Sequence, residues 1–307
     1  MQKAPPTPKG FRDIHPDLAK KRRDVINQIV DVLEESGFEP IETPTIEFAE
    51  TLKGKYGEEE RLIYEFADRG GRQLALRYDL TVPLARYVAT YNPKLPFRRY
   101  QIGQVFRGEN PQRGRYREFT QLDFDTVGSD SLEEDAKIIA ASLKAAQSVS
   151  LKNPVMLIND RKNFEGLDKN VVIAIDKLEK IGKEGVIAEM ATGSLSQDQA
   201  SSILQSMEDK TPTANLEQIF KHLNNMGINK NSYEFRPTLA RGLDYYTGAI
   251  FEMKPSTNPA DLTIGSGGRY DNLIGMFVYP DKGGAKKQIP AVGFSFGIDR
   301  LIESLEK

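Results

Sequence analysis

The chain contains no cysteine and only two histidines, His15 and His222, among its 307 residues. Without cysteine it cannot form disulfides, thiolate zinc sites or a cysteine nucleophile. The two histidines stand in unrelated contexts, which argues against a histidine metal cluster and against a Ser-His-Asp triad. Catalysis would therefore depend on arginines, carboxylates, tyrosines and amides, with a divalent ion held by carboxylates as the one open route to metal chemistry.

Long apolar runs are also absent, since no stretch approaches the roughly 20 residues that span a bilayer. The start, "MQKAPPTPKGFRDIHP", is rich in proline and has no apolar signal-peptide core, so we expect a cytoplasmic protein with no membrane partner. Lysine and arginine number 42 against 44 acidic residues, a net charge of -2. This balance neither demands nor excludes a nucleic acid, whose binding would need a local basic patch.

Helical and extended patterns alternate in the first part of the chain. Apolar spacing predicts a helix over residues 17–36 with Gly37 at its end. The stretch "FEPIETPTIEFAETL" alternates but contains Pro40 and Pro44, which favours an edge or interface strand. A strand leading into a helix is predicted at "RQLALRYDLTVPLARYVATY", with Thr81 as a candidate N-cap.

A long-looped hairpin follows. "FRRYQIGQVFR" and "YREFTQLDFDTVG" both alternate as strands and are joined by "GENPQRGR". On the second strand Leu122 and Phe124 fall on one face, whereas Gln121, Asp123 and Asp125 fall on the other. We therefore expect one face of the hairpin to pack in a core and the other to contact a polar ligand.

The sequence pattern changes twice in the second half of the chain. A helix is predicted from about Ser131, followed by the short strand "NPVMLIND". Residues 161–228 are lysine-rich and helix-like, with a capping box at "SQDQ", which indicates an inserted or appended helical subdomain. Strand and glycine patterns then return in "RGLDYYTGAIFEM", "IGSGGRYDNLIGMF" and "AVGFSFGIDRLIESL". "GSGGRYD" does not match a phosphate-binding loop and predicts a tight turn or a close backbone approach.

Arginines mark the candidate binding sites. The hairpin connection carries four arginines in a stretch of eleven residues: Arg107, Arg113, Arg115 and Arg117. Such a cluster is often a solvated turn, but here it borders the polar strand face, and guanidinium groups suit phosphate, so we favour phosphate or nucleotide binding. "GFSFGIDRL" is typical of a core strand whose glycines permit packing, and it leads into a helix that begins near Arg300. An arginine at such a junction can also point into a cleft.

Together these segments resemble the catalytic core of a class II aminoacyl-tRNA synthetase, specifically the histidyl-tRNA synthetase family. "GFEPIETPTIEF" is similar to motif 1, the hairpin to motif 2, and "AVGFSFGIDRL" to motif 3. "RGLDYYTG" resembles the signature peptide of the histidine enzymes. The resemblance covers the chain from Lys9 to its end.

The resemblance implies an α+β fold, a class II antiparallel sheet flanked by helices. It divides the chain into residues 1–160 with motifs 1 and 2, a helical insertion over 161–230, and residues 231–307 with the signature and motif 3. The implied reaction joins L-histidine to ATP as histidyl-adenylate and then to tRNA(His). Mg²⁺ on the phosphates and a homodimer formed through motif 1 are also implied.

The resemblance also implies roles for individual residues. Arg107, Arg241 and Arg300 would be catalytic, with Arg241 near the α-phosphate and Arg300 near the γ-phosphate. ATP would contact Arg107, Arg300 and the loop residues Glu109, Arg115 and Tyr116. Histidine would contact Asp79, Leu80, Thr81, Arg107, Gln121, Asp125, Arg241, Tyr245 and Tyr246.

Two departures bear on these expectations. Asp79 and Asp125 stand where many bacterial members have glutamates. Members usually continue after motif 3 with an anticodon-binding domain, but this sequence ends at Lys307, so we expect either a catalytic fragment or a protein without that domain. The second case keeps an alternative open, a synthetase-like regulatory subunit of ATP phosphoribosyltransferase. The presence of Arg107, Arg241 and Arg300 favours the synthetase.

Overall fold

The computed structural model describes residues 5–112, 114–193, 195–240, 245–258, 261–278 and 288–306. Its helices are α1 (Pro16–Glu35), α2 (Ala49–Leu52), α3 (Thr81–Tyr91), α4 (Leu132–Ser148), α5 (Lys169–Asp176), α6 (Leu178–Met190), α7 (Gln197–Glu208), α8 (Ala214–Asn225) and α9 (Ile298–Leu305). Its strands are β1 (Glu39–Pro40), β2 (Ile46–Phe48), β3 (Glu65–Ala67), β4 (Gln73–Leu76), β5 (Phe97–Phe106), β6 (Glu118–Val127), β7 (Val155–Asp160), β8 (Tyr233–Phe235), β9 (Ala249–Lys254), β10 (Gly265–Arg269) and β11 (Ala291–Gly297).

A large sheet forms the centre of the described chain, in the order β1-β5-β6-β11-β10-β9-β7-β8. The neighbours from β5 to β7 pair antiparallel, whereas β1 and β8 add to the two edges in parallel. Strands β2, β4 and β3 form a separate small sheet. The large sheet with helices around it confirms the predicted fold class, and β1 confirms an edge strand at Pro40.

The two faces of the large sheet have different surroundings. One face carries Leu122 and Phe124, both fully buried, and packs on α1, α4, α8 and α9. Helix α1 contributes Val25, Ile29 and Leu33, which recur at helical spacing as the sequence predicted. The opposite face carries the alternate residues of β6 and is open to a cavity. The predicted packing of one face of β6 in a core is therefore confirmed, whereas contact of the other face with a polar ligand stays a prediction.

Helices α5 to α8 occupy most of the segment predicted to be helical. Ser196 caps α7 through the predicted box with Gln199. Helix α8 packs beside α4 in the main core, whereas buried residues of α5, α6 and α7 belong to the cluster on the cavity side. The proposed division into domains stays a prediction. None of the described helices is both long enough and apolar enough to cross a membrane.

Two local predictions need correction. The N-cap of α3 is Leu80 rather than Thr81, because the carboxylate of Asp79 accepts a hydrogen bond from the backbone N–H of Val82 at 3.0 Å. "GSGGR" is the interior strand β10 rather than a turn. The close backbone approach expected as the other possibility is present, since a Cβ on Gly267 would lie 2.8 Å from the Cα of Phe294.

Replacing Gly267 with alanine should lower the free energy of unfolding by about 1–3 kcal/mol, because the added methyl group meets backbone atoms of β11 that cannot move aside. Denaturant unfolding followed by circular dichroism measures this loss. Gly193→Ala is the matched control, since its methyl group would meet nothing nearer than 3.7 Å, and should change stability by less than about 0.5 kcal/mol. Equal effects of the two substitutions would contradict this explanation of β10.

Candidate active site

A cavity of about 480 Å³ lies on the polar face of the large sheet. It brings together eleven of the residues predicted from the sequence: Asp79, Thr81, Arg107, Glu109, Arg115, Tyr116, Gln121, Asp125, Tyr245, Tyr246 and Arg300. Leu80 is buried next to them at the start of α3 but does not line the cavity. Arg241, Asp244 and Arg113 lie outside the described residues.

Arg107 is held in one orientation by aromatic rings. Its guanidinium carbon lies 4.4 Å from the ring centre of Tyr78 and 5.1 Å from that of Phe119, and its Nε donates to the carbonyl of Tyr78 at 3.2 Å. Burial opposes the charge of Arg107, but Tyr78, Glu109 and Asp79 outweigh it and raise the pKa of the guanidinium. Arg107 therefore presents a fixed cation to the cavity.

Arg300 approaches the cavity from the first turn of α9. Its Nε donates to the carbonyl of Gly114 at 2.8 Å and its Nη1 to the carbonyl of Thr263 at 3.2 Å. Burial, followed by repulsion from Arg115 and Arg107, lowers the pKa of Arg300. This end of the cavity thus concentrates positive charge, which a polyphosphate would neutralise.

The hairpin loop is fixed by contacts with the N-terminal segment and α9. The guanidinium of Arg12 lies 3.7 Å from the ring centre of Tyr116, and the hydroxyl of Tyr116 donates to Glu303 at 3.1 Å. Arg12 also pairs with Asp299, the residue before Arg300. The Tyr116 side of the cavity is therefore coupled to the helix that carries Arg300.

Two buried carboxylates on β6, Asp123 and Asp125, also line the cavity. Asp125 pairs with Arg99 on β5 at 2.7 Å and accepts a hydrogen bond from the hydroxyl of Tyr270. Burial raises the pKa of Asp125, whereas Arg99 and Tyr270 lower it. For Asp123, burial dominates over the attraction of Arg99 and raises the pKa to about 7. Gln121, two residues before Asp123, donates to Ser295 at 2.5 Å.

Asp79 adds a third buried carboxylate from the turn before α3. Its Oδ1 accepts hydrogen bonds from the hydroxyl of Tyr56 and the backbone N–H of Val82, both at 3.0 Å. Its Oδ2 has no hydrogen-bond partner within the described residues. Burial raises the pKa of Asp79. A buried oxygen of this kind lining a cavity suits a ligand that donates a hydrogen bond.

Two tyrosines also line the cavity. The ring centres of Tyr245 and Tyr246 lie 4.8 Å apart, and that of Tyr270 lies 6.0 Å from Tyr245. Glycine at position 268 leaves room for them, since a Cβ there would lie 2.7 Å from the ring of Tyr246. The three rings contact one another and form a continuous aromatic surface, which suits stacking with a planar group.

Sequence reasoning missed several residues that shape this site, chiefly Arg99, Tyr270, Tyr78 and Phe119. The hairpin register contained a signal for Arg99, because it pairs directly with Asp125 across β5 and β6. No comparable local pattern pointed to the aromatic residues, which reach the cavity from separate elements.

Comparisons with known proteins agree with this geometry. A family model described as histidyl-tRNA synthetase matches residues 10–301. The histidine-tRNA ligases of Nanoarchaeum equitans and Aeropyrum pernix are 41% and 40% identical to this chain, and each alignment covers 98% of the chain and 74% of the relative. A crystal structure of histidyl-tRNA synthetase from Nostoc matches with a TM-score of 0.82 and 30% identity over 99% of this chain and 76% of that chain. The chain therefore belongs to the histidyl-tRNA synthetase family.

Proposed function

We propose that this chain activates L-histidine with ATP, forming histidyl-adenylate and releasing pyrophosphate, and then transfers the histidyl group to tRNA(His). The observation that carries the proposal is the cavity itself, which is lined by Arg107 and Arg300 together with the buried carboxylates Asp79 and Asp125. The guanidinium groups suit a polyphosphate, and the carboxylates suit an amino acid that donates hydrogen bonds.

The first step needs no nucleophile from the protein. The histidine carboxylate attacks the α-phosphate in line, and the bond to pyrophosphate breaks, so the protein has to position both substrates and stabilise negative charge. Arg107 would bridge the carboxylate and the α-phosphate, and Arg300 would hold the γ-phosphate. Arg241 keeps its role near the α-phosphate as a prediction from the sequence. Glu109, Arg115 and Tyr116 would contact the nucleotide.

Recognition of histidine requires polar partners for both ring nitrogens. Asp125 and Tyr246 would contact the ring, and Tyr245 would close the space around it. Asp79 and Thr81 would receive the α-amino group, a role that suits the Oδ2 of Asp79, which lacks a hydrogen-bond partner in the described chain. Gln121 would help to position the substrate, while Leu80 would act through the backbone at the start of α3.

Mg²⁺ is part of the proposal because the family implies it. The described residues contain no group of three or more His, Cys, Asp or Glu side chains able to hold a metal ion. Glu109 and Glu252 nevertheless line the cavity and act on Arg300, and Mg²⁺ on substrate phosphates needs only one or two protein carboxylates. These two residues fit the ion, which when bound would neutralise phosphate charge.

The alternative is a synthetase-like regulatory subunit that binds ligands without catalysis. Such a protein has no need for a complete set of phosphate-binding arginines. The fixed stacking of Arg107 on Tyr78 and Phe119, beside the charge concentrated around Arg300, supports the enzyme instead.

The remaining partners follow from the same proposal. The helical segment over residues 161–230 would contact the acceptor stem of the tRNA, and charging would take place in the cytoplasm, where it serves protein synthesis. A homodimer through motif 1 is supported by exposed apolar residues on the small sheet, where Ile46, Phe48 and Phe66 are 44%, 51% and 39% exposed.

Histidine-dependent exchange of labelled pyrophosphate into ATP tests the proposed function directly, because only reversible adenylate formation moves the label. We expect exchange with histidine and none with the other standard amino acids. Folded protein that shows no exchange with histidine would favour the regulatory subunit and refute the proposed reaction.

Arg107→Lys should lower the exchange rate by about 10²- to 10³-fold, because lysine keeps the charge but cannot provide the planar, stacked donor pair. Arg86→Lys is the matched control, since Arg86 pairs with Glu47 at 2.8 Å outside the cavity. Exchange that is equally fast in the two variants would exclude the role given to Arg107.

Phe48→Asp should weaken the dimer at least about tenfold, because a charge would replace an apolar side chain at the interface. Sedimentation equilibrium over a range of concentrations measures the dissociation constant. Ile181→Glu on α6 is the control, because it alters an exposed apolar residue on a different element. A wild-type chain that stays monomeric, or a Phe48→Asp dimer of unchanged affinity, would disprove this interface.

A further inference from the structure

Arg99 is fully buried in β5, yet the proposed chemistry makes no use of it. Its Nη2 lies 2.7 Å from Oδ2 of Asp125 and donates to the carbonyl of Leu80 at 3.3 Å. Its Nε and Nη1 have no hydrogen-bond partner in the described parts of the chain. Burying a guanidinium with so few partners is costly, so a charge at this position needs an explanation beyond packing.

Arg99 lies directly beside the carboxylate of Asp125. It pairs with Asp125 across the β5-β6 ladder and lies behind this carboxylate, outside the cavity lining. On the other side of Asp125, a Cβ on Gly293 would overlap Oδ1, and the hydroxyl of Tyr270 donates to the same oxygen. Arg99 and Tyr270 therefore hold the two oxygens of the carboxylate, and Gly293 leaves free the space that Oδ1 occupies.

Among the residues that the structure describes, the charges around Asp125 are unbalanced without Arg99. The titratable and charged groups of these residues that face it are Arg99 on β5, Tyr270 after β10 and Asp123 on its own strand, and Asp79 ahead of α3 acts in turn on Asp123. Strand β11 offers Gly293, which has no side chain. Arg99 is the group in this set that favours a negative charge on both β6 carboxylates.

We propose that Arg99 is a positioning residue for histidine recognition, which holds the Asp125 carboxylate oriented and ionised so that it can accept a hydrogen bond from the imidazole ring. The choice of substrate rests on the proposed function, whereas the action of Arg99 on Asp125 does not. Arg99 touches neither substrate and acts on the imidazole ring through Asp125.

Arg99→Gln and Arg99→Lys separate charge from packing in the full chain. Arg98→Gln is the matched control, because Arg98 is the neighbouring arginine on β5 and pairs with Glu134 at 2.8 Å instead. In the exchange assay Arg99→Gln should raise KM for histidine about 100-fold with little change in KM for ATP. Arg99→Lys should recover most of this loss, and Arg98→Gln should leave both constants unchanged.

The pH profile gives a readout that packing alone would not move. Because Arg99 lowers the pKa of Asp125, its loss should move the acid limb of kcat/KM for histidine to higher pH by about one unit or more in Arg99→Gln, but not in Arg99→Lys. The double variant Arg99→Gln/Asp125→Asn removes both buried charges and should use histidine no worse than Asp125→Asn alone. This comparison holds even if Arg99→Gln alone does not fold.

Three results would overturn the proposal. The effects of the two substitutions could add in the double variant, the acid limb of the pH profile could stay in place, or KM for histidine and KM for ATP could change equally.

A measurement without substrate separates this inference from the proposed function. The ¹³C signal of the Asp125 carboxyl, identified by its loss in Asp125→Asn, should titrate at higher pH in Arg99→Gln than in wild type. An unchanged titration would refute the action of Arg99 even if histidine exchange occurs. A shifted titration without histidine exchange would refute only the proposed reaction.

Discussion

The site depends on holding buried carboxylates in fixed orientations beside the polar face of a sheet whose other face is hydrophobic. Buried carboxylates are stable as anions only when cations or hydrogen-bond donors compensate for lost water. Arg99 and Tyr270 provide this for Asp125, and Tyr56 does so for Asp79. Opposite these groups, β6 anchors itself in the core through alternate apolar residues. One ten-residue strand therefore joins the core of the molecule to its polar site.

The position of Arg300 depends on a buried carboxylate, Asp299, which also lines the cavity. Asp299 forms ion pairs with Arg12 in the N-terminal segment and with Arg22 on α1. It also accepts a hydrogen bond from the backbone N–H of Thr120 on β6 at 3.0 Å. The next residue, Arg300, turns into the cavity. Asp299 is bound to β6 and α1, and its neighbour Arg300 donates to the carbonyl of Gly114 in the hairpin loop. The position of Arg300 is therefore fixed relative to the sheet and to the loop.

Local patterns were enough to predict α1, the β5-β6 hairpin, the polar and apolar faces of β6, the capping box of α7, and the meeting of the arginines with the β6 carboxylates. They failed where distant contacts decide the structure. "GSGGR" has little strand propensity, and it forms β10 because glycine alone permits the close approach to β11. The start of α3 was placed wrongly for a different reason, because the Asp79 carboxylate, only three residues before Val82, offered a second local acceptor beside Thr81. Arg99 resembled an ordinary strand arginine until the register placed it against Asp125.

The central claim is that buried polar groups, rather than the shape of the cavity, select histidine. Calorimetric titration of the substrate-free chain with histidine and with thienylalanine, whose ring has similar size but no nitrogen, tests it directly. A site that must satisfy buried carboxylates should bind thienylalanine about 10³-fold more weakly or worse, because its polar groups would be left unpaired. Affinities within about tenfold of each other, the margin that apolar fit alone provides, would contradict the account.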